Sequence, residues 1–147
     1  MTAERLIRAF YQDVITADDL SRVPELFSRS FVLHGPPGSP IVPARTEGIE
    51  AFSEVLGAFM ETFDVDVCID EIMEEGELAS ARLTVKVTQR KPFLGLDSIG
   101  KQAEYSATNF FRVGDGQIQE EWMTEDFPGM LMQLGCRLHG PDGKLVA

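Results

Sequence analysis

The chain has 147 residues, 44% of them hydrophobic and 25% charged, which predicts one soluble domain with a core and room for one ligand cavity. Its 24 acidic and 13 basic side chains leave a net charge of -11, which repels phosphate backbones and anionic lipid. Basic residues occur singly or in pairs, as at Arg90-Lys91, so no basic patch argues for a nucleic-acid or membrane-surface role.

From Ala3 to Ile15, Leu6, Ile7, Phe10, Tyr11, Val14 and Ile15 recur at three- and four-residue spacing and predict an amphipathic helix. Asp18 and Asp19 can cap a second, shorter helix that buries Leu20, Val23, Leu26 and Phe27, with Pro24 tolerated in its first turns. Ser30 to His34 reads as a short strand, ended by Gly35-Pro36-Pro37-Gly38, and a loop follows to about Arg45. Thr46 to Phe63 restores the helical period with Ile49, Phe52, Val55, Leu56, Phe59, Met60 and Phe63 on one face. The period then drops to two: Val65, Val67 and Ile69, and next Ala79 to Gln89, predict two strands joined near Glu75-Gly76. Lys91 to Gln102 is a loop carrying Phe93, Leu94 and Leu96, apolar enough to lid a pocket. Glu104 to Val113 and Gln117 to Thr124 predict a last hairpin, Asp126 to Leu134 a short terminal helix, and residues 136–147 a polar tail. Without repeats or a linker, residues 1–147 read as a single α+β domain, helices first and an antiparallel meander after them.

No apolar run approaches the ~20 residues that span a bilayer, and Met1-Thr2-Ala3-Glu4-Arg5 lacks a signal peptide's regions, so the expected location is cytoplasmic. Cys68 and Cys136 have neither CxxC spacing nor a histidine pair nearby and read as buried thiols, with no metal site expected. There is no GxSxG elbow, and the acidic run Asp70-Glu71 to Glu74-Glu75 reads as a hairpin turn in water, without calcium-loop spacing.

Phe10-Tyr11, Asp19-Leu20 to Leu26-Phe27, Phe31-Val32 with His34 and Pro36, and Phe93-Leu94-Gly95 occur in a telling order. They are followed by Phe110-Phe111-Arg112-Val113, Asp115-Gly116, Ile118, Glu120-Glu121-Trp122 and Asp126-x-x-Gly129-x-Leu131-x-Gln133-Leu134-Gly135. In this the chain resembles the SnoaL-like polyketide cyclase, or ester cyclase, family. The resemblance implies the cystatin-like cone shared with nuclear transport factor and ketosteroid isomerase: a curved antiparallel sheet wrapped around three N-terminal helices, enclosing a cavity. It also implies no cofactor and a homodimer. Family members of known chemistry close rings by intramolecular aldol condensation, with an aspartate as acid/base and a histidine nearby. Aligned to them, this chain has Met123 at the aspartate and Asn109 at the histidine. Methionine transfers no proton and asparagine only hydrogen-bonds, so that mechanism does not carry over.

Which side chains enter the cavity depends on the last hairpin. A two-residue Asp115-Gly116 turn sets Phe110 opposite Glu121. A three-residue Gly114-Asp115-Gly116 loop sets Asn109 opposite Glu121, with Ala107, Phe111, Gln119 and Met123 on that side. The second agrees with the family's catalytic pair and sends Phe110, Ile118 and Trp122 to the other face, where an apolar surface suits a dimer contact. Glu121 is then the first acid/base candidate, since desolvation would raise its pKa toward neutrality. Asp126 matches an aspartate many members carry after the tryptophan, but its setting also suits a helix cap. His34 ends a strand where it can reach a cavity mouth as base or donor, or serve structurally. Asn109 would orient a carbonyl or hold water, and Met123, Phe111, Trp122 and Phe93 complete the expected substrate-binding set. The reading is a cofactor-independent enzyme on an apolar oxygenated small molecule of polyketide or terpenoid type, a cyclase, isomerase or hydrolase. Its alternative is a small-molecule-binding dimer that has lost the cyclase residues.

Overall fold

The computed structural model describes residues 2–147. Helix α1 (Ala3–Ala9) starts under Thr2, whose hydroxyl accepts the Arg5 N–H at 3.2 Å. From Phe10 to Thr16 the same helix widens to π spacing, closing with the Ala17 N–H on the Gln12 carbonyl at 3.1 Å. The wider turn lets the neighbours Phe10 and Tyr11 both face inward, ring centroids 4.8 Å apart. A 3₁₀ turn (Leu20–Arg22), capped by Asp19, runs into the short α2 (Val23–Leu26). The strand expected from Ser30 begins earlier, at Phe27, giving β1 (Phe27–His34). Next come β2 (Thr46–Glu47) and the long α3 (Ile49–Thr62), followed by β3 (Phe63–Glu75) and β4 (Leu78–Gln89). β5 (Gln102–Gly114), β6 (Gln117–Trp122) and α4 (Phe127–Leu134) complete the chain of elements. No helix of the described residues is long and apolar enough to cross a membrane.

The expected α+β architecture holds: one six-stranded sheet in the order β2-β1-β6-β5-β4-β3 covers three N-terminal helical segments. The meander is antiparallel, but β1 joins β6 in parallel, so the sheet is mixed. Along β5, Ala103, Tyr105, Ala107, Asn109, Phe111 and Val113 all point inward, the period-two pattern of a half-buried strand. Irregularities at Ile69/Glu71, between Phe27 and Val32, and between Arg112 and Val113 bend the strands, as bulges do.

Several expectations need correcting. The last hairpin turns on two residues, Asp115 and Gly116, both with positive φ (52° and 73°), the geometry that matches strand twist. Gln119 is then left without a partner, and beyond it Phe111 sits opposite Glu121 and Phe110 opposite Trp122, a register neither simple hairpin produces. Because the irregularity resets the alternation, Ile118 is buried with Glu121 instead of lying on the outer face. Cys68 is exposed, since alternation along β3 places it outward with Asp66, and Cys136 is half-buried. The acidic run 70–75 belongs to β3 itself, the turn being at Gly76. The 91–101 loop packs Phe93 on Phe63 at 5.6 Å between centroids, and a buried Gln89 holds it through the Lys91 and Leu96 carbonyls. The tail is folded back on itself by a bridge between His139 and Leu145.

The core lies between the inner face of the sheet and the helices. Its densest part joins Phe10, Phe27, Phe31 and Phe52, with Phe27 4.8 Å from each of the other three ring centroids. Phe27 has no exposed surface and ties the π-helical segment and α3 to β1. Phe27→Ala is expected to cost about 3–5 kcal/mol by leaving a cavity among rings that cannot collapse. Urea denaturation reads it as a lower midpoint at unchanged slope; a loss under about 1 kcal/mol would show the cluster is not what fastens the helices.

Candidate active site

A cavity opens between the helices and the inner face of the sheet, with about 60 Å³ open to the centres of water molecules, several times what one water needs. Its walls are apolar: Phe10, Leu33, Phe52, Phe59, Val85 and Met123 are among them. Four polar side chains interrupt these walls, Tyr11, Tyr105, Glu121 and Glu125. Behind them sits Asn109, with no exposed surface.

Glu121 is the second-last residue of β6 and faces inward, only 2% exposed. The chain then continues alongside β5 although the regular strand has ended. The Thr108 N–H donates to the Thr124 carbonyl at 2.8 Å, the Asp126 N–H to the Ser106 carbonyl at 3.1 Å, and Ala107 bridges Glu125. This continuation carries Met123 and Glu125 to the same wall as Glu121. Glu125 is half-buried as a residue, but its carboxyl turns inward: Oε2 accepts from Asn109 Nδ2 at 2.8 Å and Oε1 from the Tyr105 hydroxyl at 3.2 Å. Asn109 Nδ2 also donates to the Tyr11 hydroxyl at 2.9 Å, and Asn109 Oδ1 accepts the Thr124 N–H at 3.0 Å. The amide thus links β5, the π-helical segment and the chain after β6.

Burial pushes the Glu121 carboxyl well above the usual glutamate value, and the neighbouring Glu125 charge pushes it further. Burial also raises Glu125, and the hydrogen bonds from Asn109 and Tyr105 offset part of that rise. As the pair gives up its first proton, the loss therefore falls on Glu125, while Glu121, with no hydrogen bond from the described residues, keeps its own. Burial, and then the Glu121 and Glu125 charges, hold the Tyr11 hydroxyl well above the pKa of a free phenol, so it stays protonated. Two carboxyls in different settings, one held as an acceptor and one left neutral, provide a proton donor and a proton acceptor in one apolar chamber.

Of the residues expected from sequence, Glu121 and Met123 line this cavity and Asn109 supports it. Phe111 is fully buried behind Tyr11, its ring 6.2 Å away, and contributes backing instead of lining. His34 lies on the other face of the sheet, with Nε2 2.6 Å from Glu120 Oε2 and its ring stacked on Trp122 at 5.1 Å. Trp122 shares that outer face with Phe110. Asp126 caps α4, its Oδ1 accepting the Gly129 N–H at 2.9 Å. Phe93 packs on Phe63, away from the cavity. Sequence reasoning missed Glu125, Tyr11 and Tyr105. The two-residue period that selects Glu121 extends to 123 and 125, and the one that selects Asn109 reaches back to 105, so a signal was present for two of them. Tyr11 sits in a helical stripe, indistinguishable from core. Among the described residues no group of three His, Cys, Asp or Glu side chains is placed to hold a metal.

A family model described as SnoaL-like polyketide cyclase matches residues 5–134. Among solved structures, the chain is 28% identical to IdmH, a candidate polyketide cyclase from Streptomyces antibioticus, with a TM-score of 0.80 over 92% of this chain and 100% of that one. It is 24% identical to TsrD from Streptomyces laurentii, with a TM-score of 0.73 over 90% of this chain and 93% of that one. It is 19% identical to a candidate SnoaL-like polyketide cyclase from Jannaschia sp. CCS1, with a TM-score of 0.78 over 92% of each chain. The last two likenesses are likenesses of fold. No curated protein matches the chain.

The buried carboxyl makes a stability prediction whose sign is set by linkage. Folded Glu121 binds its proton more tightly than the unfolded chain does, so its contribution is complete below the usual value of 4.5 and declines as pH rises toward the folded value. Glu121→Gln cannot ionise. It is expected to lie closest to the parent near pH 4.5 and to gain on it toward pH 8 by up to about 1.4 kcal/mol per pH unit, because only the parent must hold a proton on the buried carboxyl or ionise it there. Urea titrations across that range check it, and a variant that gains nothing on the parent toward pH 8 would contradict the burial argument.

Proposed function

The chain belongs to the SnoaL-like polyketide cyclase family over residues 5–134, and from that premise we propose a cofactor-independent acid/base enzyme that cyclises or isomerises an apolar, carbonyl-bearing small molecule of polyketide or terpenoid type. The observation that carries this reading is the pair Glu121 and Glu125 in one apolar cavity, with Glu125 accepting two hydrogen bonds and Glu121 none. Family members of known chemistry use an aspartate and a histidine where this chain has Met123 and Asn109. The proton chemistry is accordingly assigned to the carboxyls two residues either side of Met123.

In this mechanism the Glu125 carboxylate takes a proton from carbon next to a carbonyl, and the C–H electron pair becomes the enolate π bond. Glu121 donates a hydrogen bond, and finally a proton, toward the oxygen that gains charge. As the first carbonyl re-forms and its proton returns to Glu121, the enolate carbon either attacks a second carbonyl of the same molecule, closing a ring whose new alkoxide takes the proton held by Glu125, or a carbon further along the conjugated chain takes that proton, shifting a double bond. Met123 lines the narrow chamber, and its flexible thioether can move aside for a ligand larger than the resting space. In the same reading a second copy of the chain packs on the outer sheet face, an expectation supported by Phe110, 41% exposed beside Trp122. Sedimentation is expected to show a dimer that Phe110→Glu dissociates.

The function is tested by proton exchange. In D₂O the protein is expected to accelerate deuterium uptake next to the carbonyl of a small apolar β-ketoester, followed by proton NMR. Glu125→Gln and Glu121→Gln should each lower the rate about 10²–10⁴-fold, the range for a positioned acid or base. The rate should fall in acid as Glu125 protonates and also at high pH as Glu121 ionises. Binding of the ester, seen as a raised melting temperature, with no exchange above buffer would favour the alternative of a non-catalytic binding protein.

A further inference from the structure

Phe127, the first residue of α4, borders two separate spaces. Its ring, 6.3 Å from that of Phe59 and 5.8 Å from that of Tyr105, is part of the wall of the inner cavity. Beyond it an open groove lies between the 36–40 loop, the 91–101 loop and α4 with the residues that follow it. About 390 Å³ of this groove is open to the centres of water molecules, within the size range of small-molecule sites.

The groove is built from side chains that offer a ligand almost nothing polar. Pro36, Pro37 and Pro40 fix their own backbone and present no N–H. The Ser39 hydroxyl among them is already taken, accepting the Ile41 and Val42 N–H groups at 3.1 and 3.3 Å. Leu131 of α4 contributes from the helix, while Leu94 and Leu138 stay 51% and 56% exposed at the rim. Burying such surface favours an apolar chain.

One charged side chain borders the groove, Arg137. Gly135, with φ 116°, ends α4 in the left-handed conformation and turns the chain so that Cys136 and Arg137 return to the groove. Arg8, Arg22, Arg45, Arg82, Arg90 and Arg112 are each paired with a carboxylate. Arg137 is not: among the described residues its one hydrogen bond goes to the carbonyl of its neighbour Cys136, at 3.0 Å. A guanidinium has five N–H donors, so most of this one's remain to be given. On a chain of net charge -11, an unpaired arginine beside an apolar groove is a local reversal of the protein's field.

We infer that this groove binds an amphiphilic carboxylate, with its alkyl chain against the prolines and Leu131 and its headgroup in water beside Arg137. The apolar walls supply the affinity, and the guanidinium fork selects the headgroup. The site lies outside the carboxyl-lined cavity and stands whether or not that cavity is catalytic.

The experiment uses three ligands that share one alkyl chain, each kept below the concentration at which it forms micelles: decanoate, decanol and decyltrimethylammonium. Calorimetric titration of the whole protein near neutral pH is expected to show decanoate binding more tightly than the ammonium, although the net charge favours the cation. Arg137→Gln should weaken decanoate about two- to fivefold, as loss of an exposed ion pair does, and leave decanol unchanged. Arg137 is exposed and its side chain bonds only its neighbour's carbonyl, so the substitution spares the fold. The place of binding is read from the two cysteines, since Cys136 borders the groove and Cys68 lies exposed on β3. Bound decanoate should slow alkylation of Cys136 by iodoacetamide and not that of Cys68. Tighter binding of the ammonium, equal losses of decanoate and decanol in Arg137→Gln, no loss of either, or alkylation of Cys136 indifferent to decanoate would each overturn the inference. So would a Cys136 that becomes protected without ligand as protein concentration rises, because a second copy of the chain would then fill the groove.

Discussion

Asn109 has no surface exposed to water, so its amide finds its partners inside the protein, and its three hydrogen bonds go to the π-helical segment and to two neighbouring residues of the chain after β6. The oxygen fastens the segment that leaves β6, and the nitrogen reaches the π-helical segment on one side and Glu125 on the other. A buried amide left half-satisfied costs about 1–3 kcal/mol, enough to make this arrangement strongly preferred over a slipped one. The cavity's chemistry follows from it. The Thr124 bond decides which end of the amide faces inward, that end holds Glu125 as an acceptor, and the same end holds the Tyr11 hydroxyl.

The helical side supplies its share through a departure from regular structure. A standard helix would present Tyr11 a third of a turn from Phe10, so burying both would need a broader apolar stripe. Widening from Phe10 to Thr16 lets Phe10 enter the ring cluster with Phe27 and Phe52 while Tyr11 meets Asn109. The sheet does the equivalent at Gln119. Without the extra residue, the tight Asp115-Gly116 turn would place Ile118 and Glu121 on opposite faces; with it, both are inside.

These two departures also mark where sequence reading succeeds and where it stops. Period-two alternation in β5 and period 3.6 in α3 are strong signals because one whole face of each element is apolar, and they locate Asn109, Phe52 and Met60 correctly. Alternation is blind to a bulge, so the register of the last hairpin could not be read from its turn residues. It did still place Glu121 inward, because Glu121 shares the inner face with Met123 in the bulged register as well as in the favoured one, and only Ile118 changes face. His34 misled for a different reason: its strand runs parallel to β6, and pairing with Trp122 sets it on the outer face beside Glu120.

The net charge of -11 acquires a sharper meaning from the site. Most of the acidic side chains lie in water, many paired with arginine, as Arg22 is with Asp13 and Glu25 and Arg90 with Asp18 and Asp64. Among the described residues, Glu121 and Glu125 have no such cation. An arginine in the cavity would lock both as carboxylates and leave nothing to donate; a histidine in place of Asn109 could be charged and would compete for the same proton. A neutral amide does neither. It supports one carboxylate with a hydrogen bond, leaves the other to burial, and so keeps one proton between two groups whose surroundings differ. In the proposed function, an amide at 109 and a thioether at 123 therefore do not empty the cavity of proton chemistry. The reading assigns that chemistry to Glu121 and Glu125, one strand period either side of Met123 on the same wall.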